Sequence, residues 1–280
     1  MFYLLKCFIQ MKILLNNNDL NEALYNVSNL GFVPTMGGLH QGHISLIKRS
    51  LKQCKKTIVS IFVNPSQFNN KNDFKKYPRN IKKDLKILKK LNIDFIYLPS
   101  VKDIYSSKRS HKIKINKKDQ ILCAKYRKGH FEGVIDVMDR LTTIIKPKKI
   151  FMGEKDFQQL YLVKKFFKKN HLSKIVTCKT VRNKNNLALS SRNLLVNKNN
   201  LIKAEKLTQN LINIKKSFTK KINLNKILNL KKKELSEMYN LKIEYLELRN
   251  KNNLKKTNKL QNSKIFIAYY IDKVRLIDNL

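Results

Sequence analysis

His40-Gln41-Gly42-His43 sets two imidazoles around a glycine, with two residues between them. Imidazole donates hydrogen bonds to phosphate oxygens, more strongly when protonated. The tetrapeptide follows a short apolar stretch, Gly31-Phe32-Val33-Pro34. It opens a segment in which Ile44, Leu46, Ile47 and Leu51 fall at helical spacing. A strand, a glycine-containing turn and a helix N-terminus therefore come in immediate succession. Free N–H groups at such a helix start, with the positive end of its dipole, favour a phosphate. Gly37, Gly38 and Gly42 allow close backbone approach, in a chain with only seven glycines. The chemistry these residues point to is the binding of nucleotide phosphate.

Three further polar blocks fall at comparable places. Asn64 and Gln67 follow the β-branched run Thr57–Val63, and Gly153-Glu154-Lys155-Asp156 follows Ile150-Phe151-Met152. Lys155 offers a point charge for phosphate, and Gln159 comes about one helical turn after Asp156. Leu189-Ser190-Ser191-Arg192 groups two hydroxyls with a planar guanidinium fork, a set suited to β- and γ-phosphates. Singly, each block has a plainer role. Asn64-Pro65 suits a turn, Lys155-Asp156 a surface pair, and Ser190-Ser191 a helix cap. Together they mark one ligand-facing edge.

The elements that position them alternate. Lys12–Leu15 reads as a first strand, and Thr57–Val63 as a strand buried on both faces of a parallel sheet. Ile81, Leu85, Leu88 and Leu91 recur at helical spacing before the strand Phe95–Leu98. A helix carrying Val134, Val137, Met138, Leu141, Ile144 and Ile145 precedes Ile150–Met152. A helical stretch from Asp156 to Lys168 then leads to the strand Ile175–Thr177. This order predicts an α/β fold, a Rossmann-like doubly wound parallel sheet with ligands beyond the carboxyl ends of its strands. Residues 1–180 form that unit, and 181–280 form a smaller α+β C-terminal lid domain. In the lid, 198–239 reads as helical, Lys242–Leu248 and Ile265–Ile271 as strands, and Asn250–Asn262 as a solvated turn.

The 280 residues carry 60 Lys and Arg against 19 Asp and Glu, a net charge of +41. Lysine is spread along the whole chain beside abundant Asn and Ile, all of which share A/T-rich codons. Codon bias accounts for the charge better than a dedicated nucleic-acid surface, although ATP is still attracted at low salt. Cys7, Cys54, Cys123 and Cys178 are scattered without metal-ligand spacing, which fits reduced thiols in a cytoplasm. No apolar run is long enough to span a membrane. Residues 1–10 read as a probable N-terminal extension ahead of a second methionine, Met11: Lys6 and Gln10 interrupt their apolar character, and no cleavage site follows.

Six blocks, taken in order, resemble the pantothenate synthetase family. They are Pro34–His43, Val63–Phe68, Tyr77–Arg79, Gly129–Phe131, Gly153–Gln159 and Leu187–Asn193. Arg275-Leu276-Ile277-Asp278-Asn279 is also similar to that family's C-terminus, so the resemblance runs from Met11 to Asn279. It implies an ATP-dependent ligase acting through pantoyl-adenylate. The carboxylate of pantoate attacks the α-phosphate of ATP and releases pyrophosphate. The amine of β-alanine then attacks the acyl carbon and releases AMP and pantothenate. Carried over residue by residue, the resemblance assigns His40 and His43 to the α-phosphate, with His43 as proton donor. Lys155, Ser190, Ser191 and Arg192 go to the triphosphate. Met36, Gly37, Gly38, Leu39, Gln41, Gly42, Gly153, Glu154, Asp156, Val181 and Leu189 complete the ATP site. Gln67, Gln159, Asn64, Pro34, Met36 and His130 go to pantoate. Mg²⁺ is implied, with Asp84 its nearby candidate ligand, and so is a homodimer.

The chain departs from the family pattern at Glu132, where Arg is common, and at Lys128, where Pro is usual. Asn185-Asn186 replaces an Asp-Gly turn, and Leu189 stands where Met is frequent. Glu132 alters the charge around His130, and Arg127 is positioned in sequence to compensate. Two competing readings are weaker. Another HxGH nucleotidyltransferase has no reason to keep Asn64, Gln67 and Gln159 together. An RNA-binding protein lacks its basic stripe of clustered aromatics.

Overall fold

The computed structural model describes residues 11–106, 113–218 and 223–280. The segment 1–10, with Cys7, lies outside them. Among the described residues, nine strands form two sheets. The first six are β1 (Lys12–Leu14), β2 (Leu30–Thr35), β3 (Lys56–Ile61), β4 (Phe95–Tyr97), β5 (Lys149–Gly153) and β6 (Lys174–Cys178). They pair in parallel in the order β1-β4-β3-β2-β5-β6. The last three, β7 (Lys242–Asn250), β8 (Ser263–Ile271) and β9 (Val274–Asn279), make an antiparallel sheet.

Side chains alternate across the parallel sheet as a doubly wound fold requires. Phe32, Ile58, Phe95, Tyr97, Ile150 and Met152 enter the core on one face. Val33, Val59, Ile96 and Phe151 enter the core on the other. Helices cover both faces: α1 (Asn17–Leu24), α2 (Gln41–Gln53), α3 (Lys71–Lys76), α4 (Ile81–Lys90), α5 (Val101–Tyr105), α6 (Cys123–Tyr126), α7 (His130–Ile145) and α8 (Phe157–Asn170). The strand order reverses at β2, whose neighbours are β3 on one side and β5 on the other. The crevice at their carboxyl ends is where such sheets place ligands. The His40 turn and the Lys155 turn leave the sheet on either side of it.

The C-terminal region differs from its sequence reading in three ways. The stretch 198–239 is two helices, α9 (Lys198–Ser217) and α10 (Leu224–Tyr239), each with an asparagine N-cap at Asn197 and Asn223. These caps interrupt a lysine-rich pattern whose apolar spacing looks continuous. The Asn250–Asn262 connection is not simply solvated, because Leu254 is fully buried and packs into the main core. Val274–Asn279 forms β9, its short polar-apolar alternation having given no strand signal. Cys54, Cys123 and Cys178 are free thiols.

Candidate active site

A cavity of about 240 Å³ opens at the switch point. Its walls come from the turns after β2, β3, β5 and β6 and from α7. Met36, Pro34, His40, Gly42 and His43 line it, as do Asn64, Gln67, His130, Gly153, Lys155, Asp156, Gln159, Val181, Leu189, Ser190, Ser191 and Arg192. Gly37, Gly38, Leu39, Gln41 and Glu154 stand behind the wall. Leu39 is a core residue and Gln41 faces solvent.

The turn after β2 spends its backbone donors internally. The Gly37 N–H donates to Thr35 Oγ1 at 3.2 Å. Gly38 and Leu39 N–H donate to the two carboxylate oxygens of Asp84 at 2.9 and 2.8 Å. Gly42 N–H donates to His40 Nδ1 at 3.0 Å, and His40 N–H to His43 Nδ1 at 3.4 Å. The expectation that these N–H groups stay free for phosphate is therefore corrected: the turn uses them to hold its own shape. Gly42 is required because the His40 ring folds over it, and a Cβ there would meet Cε1 at 2.6 Å. Gly37 and Gly38 take left-handed φ values of 79° and 62°. Asp84 is 2% exposed, and both of its carboxylate oxygens anchor this turn.

Recognition of a ligand at this turn thus passes to side chains. Burial, with the nearby Lys155 charge, lowers His40 to about 4. Burial and then the His40 charge lower His43 to about 3. Both rings are neutral at pH 7. Since each Nδ1 accepts a backbone N–H, the ring proton sits on Nε2. The rings lie 4.2 Å apart, two neutral donors side by side.

Across the cavity, Lys155 Nζ lies 3.6 Å from Asp156, whose side chain is half exposed to the opening. The surrounding protein pushes the Asp156 carboxyl up, but Lys155 and then Arg192 hold it below its ordinary range. Ser190 Oγ caps a short helical turn by accepting from Arg192 N–H, so the plainer reading of this serine holds as well. Ser191 Oγ donates to the Gly38 carbonyl at 2.9 Å and ties the two turns together. Arg192 pairs with Asp73 at 2.8 Å, next to the Tyr77 ring.

The remaining wall was assigned to pantoate by sequence, and there the structure separates contact from support. Gln67 and Gln159 line the cavity. Asn64 is 1% exposed and its polar atoms are engaged. Its Nδ2 donates to the Gly133 carbonyl, and its Oδ1 accepts from Ser66 N–H, Ser66 Oγ and Tyr105 OH. It shapes the loop that presents Gln67. The His130 ring is similarly engaged: Nε2 accepts from Arg127 Nη1 at 2.8 Å, and Nδ1–H donates to the Gln67 carbonyl at 2.6 Å. Burial, and then the Arg127 charge, lowers His130 to about 3. Arg127 stands directly beside His130, the position the departure at Glu132 calls for. Tyr77, Lys179 and Thr180 also line the cavity. Tyr77 lay within a recognised block, whereas nothing in the composition or spacing around Lys179 and Thr180 marks them.

Comparison with known proteins leads to the same chemistry. The family model for pantoate–β-alanine ligase matches residues 12–280. Pantothenate synthetase of Flavobacterium psychrophilum is 40% identical over 267 residues, spanning 93% of this chain and 94% of that protein. The crystal structure of pantothenate synthetase from Thermus thermophilus matches with a TM-score of 0.89 at 29% identity, covering 96% of this chain and 99% of its own. That of pantoate–β-alanine ligase from Francisella tularensis, complexed with beta-gamma ATP and β-alanine, matches with a TM-score of 0.81 at 37% identity, covering 96% and 97%. With the family model, the relatives and the fold agreeing over nearly the whole chain, this protein belongs to the pantoate–β-alanine ligase family.

Proposed function

We propose that this chain joins pantoate to β-alanine at the expense of ATP, forming pantothenate through pantoyl-adenylate. The observation that carries the reading is the make-up of the cavity wall. Cationic and imidazole donors (His40, His43, Lys155, Arg192) line it together with neutral amides (Gln67, Gln159). A triphosphate needs the first set, and a hydroxylated acid that must keep its nucleophilic carboxylate needs the second.

In the first step a pantoate carboxylate oxygen bonds to the α-phosphorus while the α–β phosphoanhydride bond breaks and pyrophosphate departs. The Nε2–H groups of His40 and His43 stabilise charge on the α-phosphate oxygens as the transition state forms. Neutral imidazoles do this without changing protonation state, and His43 still serves as a hydrogen donor. Lys155 and the free face of Arg192 hold the departing pyrophosphate, with Ser190 and Ser191 shaping the turn beneath it. In the second step the β-alanine amine attacks the acyl carbon, loses a proton and expels AMP. Val181 and Leu189 flank the base, and Gly153 and Asp156 lie against the ribose.

Among the described residues no three His, Cys, Asp or Glu side chains gather into a metal site. This donor set fits a Mg²⁺ ion carried on the triphosphate with its waters, Asp156 being the only carboxylate among the lining residues. Bound there, the ion neutralises phosphate charge. Among the described residues no helix is long and apolar enough to cross a membrane, and cytoplasmic location and a homodimer complete the proposal.

The test supplies ATP and Mg²⁺ with pantoate and β-alanine separately and together. A single turnover of pyrophosphate with pantoate alone, and continuous AMP and pantothenate with both, supports the reading. Folded protein inert toward either acid overturns it.

A further inference from the structure

Two walls of the cavity are held by residues at the far end of the chain. Asn279 is 2% exposed, and both hydrogens of its side-chain amide are spent on successive carbonyls: Nδ2 donates to Glu154 O and Lys155 O, each at 2.9 Å. Those peptides carry Lys155 into the cavity. The preceding residue, Asp278, accepts a two-pronged pair from Arg182, Nη1 to Oδ2 at 2.7 Å and Nη2 to Oδ1 at 2.8 Å. Arg182 also donates to Asn279 O and to Asn186 O. It directly follows Val181 in a short hairpin, in which Arg182 bridges Ala188 and Leu189 N–H donates to Val181 O. Asp278 and Asn279 are themselves fixed by register, facing Ile267 and Phe266 of β8.

We propose that Asp278 and Asn279 are positioning residues for nucleotide use: together they fasten the Lys155 turn and the Val181–Leu189 hairpin to the C-terminal sheet. They touch no substrate. Their effect reaches ATP through the placement of Lys155 and of the apolar hairpin arms. The Gln67 loop is held by other residues, Asn64 and His130, whereas Gln159 follows the Lys155 turn at the start of α8. The inference rests on the proposed ATP site, and it predicts a split between the two substrates of the first step.

The experiment measures ATP and pantoate KM and kcat for pantoate-dependent pyrophosphate release in Asn279→Ala, Asn279→Asp and Asp278→Asn, with thermal unfolding alongside. The ATP KM should rise about tenfold in the Asn279 variants, and the pantoate KM, which meets the same segment only through Gln159, should rise less, by about threefold at most. Asn279→Asp should be the worst, since it sets a carboxylate against two carbonyls. Asp278→Asn, which leaves the Asn279 amide in place, should shift the ATP KM in the same direction by less, and it carries the test if the Asn279 variants do not fold. Both KM values moving together with Tm would overturn the proposal, as would an unchanged ATP KM in folded variants. Amide hydrogen exchange supplies a readout that needs no turnover. Exchange at residues 154–157 should quicken in the variants while that of β3 does not, and equal protection would also overturn it. If wild-type protein fails to release pyrophosphate, the proposed function falls while the exchange comparison still decides the latch.

Discussion

The turns after β2 and β5 face each other across the same crevice and are held in opposite ways. The first satisfies its backbone donors close by, five of them through Thr35, Asp84, His40 and His43, all within fifty residues of the turn, while Ser191 holds its Gly38 carbonyl from further along the chain. The second is fastened from outside, its carbonyls gripped by Asn279 more than a hundred residues away. Self-satisfaction gives a rigid platform whose side chains project in fixed directions. External fastening makes the charge-bearing turn dependent on the C-terminal sheet. Under the proposed function, an imidazole pair and a remotely held cation divide the work on one triphosphate.

The sharpest way to probe the self-contained turn is to remove its reactive element. His43→Ala should lower pantoate-dependent pyrophosphate release by about 10²–10³-fold, the range for losing one preorganised donor to a developing anion. The fold should survive, because the His40 N–H bond to His43 is long at 3.4 Å. Near-normal release from a folded variant would take His43 out of the mechanism and leave the turn as mere scaffold.

Asp84→Ala attacks the platform itself. It strands two buried N–H groups, each costing about 1–3 kcal/mol. At about 2–4 °C per kcal/mol for a chain of this size, Tm should drop by roughly 4–24 °C. The Mg²⁺ concentration giving half-maximal activity should stay where it is. An unchanged Tm with a displaced Mg²⁺ requirement would return Asp84 to the role of metal ligand.

The same contrast explains what could be read from the sequence. His40, Gly42 and His43 announce themselves because strand, turn, cap and helix are contiguous, and Thr57–Val63 announces a buried strand by composition. The parallel sheet and the ligand-facing edge follow from such local patterns. Asp84 was visible only as an acid among lysines, because its partners lie forty-five residues back and are backbone groups with no sequence signature. Asn64 and His130 line the cavity, but supporting and contacting residues look alike in sequence. Asn279 stood in a recognised block, yet its task appears only when β9 pairs with β8 and brings the chain end against the Lys155 turn. Long-range fastening leaves little mark on neighbouring residues.

Gln67 extends the comparison to a third wall, likewise held from outside through its carbonyl by His130. Gln67→Ala removes a side-chain contact without disturbing that fastening. Losing a hydrogen bond to a buried polar ligand costs about 1–3 kcal/mol, which should raise the pantoate KM by roughly 5–150-fold. ATP use should change little. Steady-state kinetics with each substrate varied in turn would show it, and an unchanged pantoate KM and kcat would remove Gln67 from the acid's site.

Acid separates the two turns most gently. His40 and His43 titrate near about 4 and about 3 because burial disfavours their charged forms. Neither changes charge between pH 7.5 and 5, so kcat/KM for ATP should show no ionisation near 6.5, the value of a free imidazole. The unfolded chain does take up protons near that value, whereas the native rings, with His130 among them, resist until about 3–4. The unfolded state then binds more protons, and stability is full above about pH 6.5 and declines as pH falls toward 4. Tm measured in half-unit steps should trace that decline. His130→Gln should make it shallower, by removing one of the three buried rings. Stability that stays flat from pH 6.5 to 4.5 would mean the native rings already carry their second protons. Each Nδ1 would then be a donor, the bonds from Gly42 and His40 N–H could not form, and the self-contained turn would lose the arrangement that distinguishes it from its neighbour.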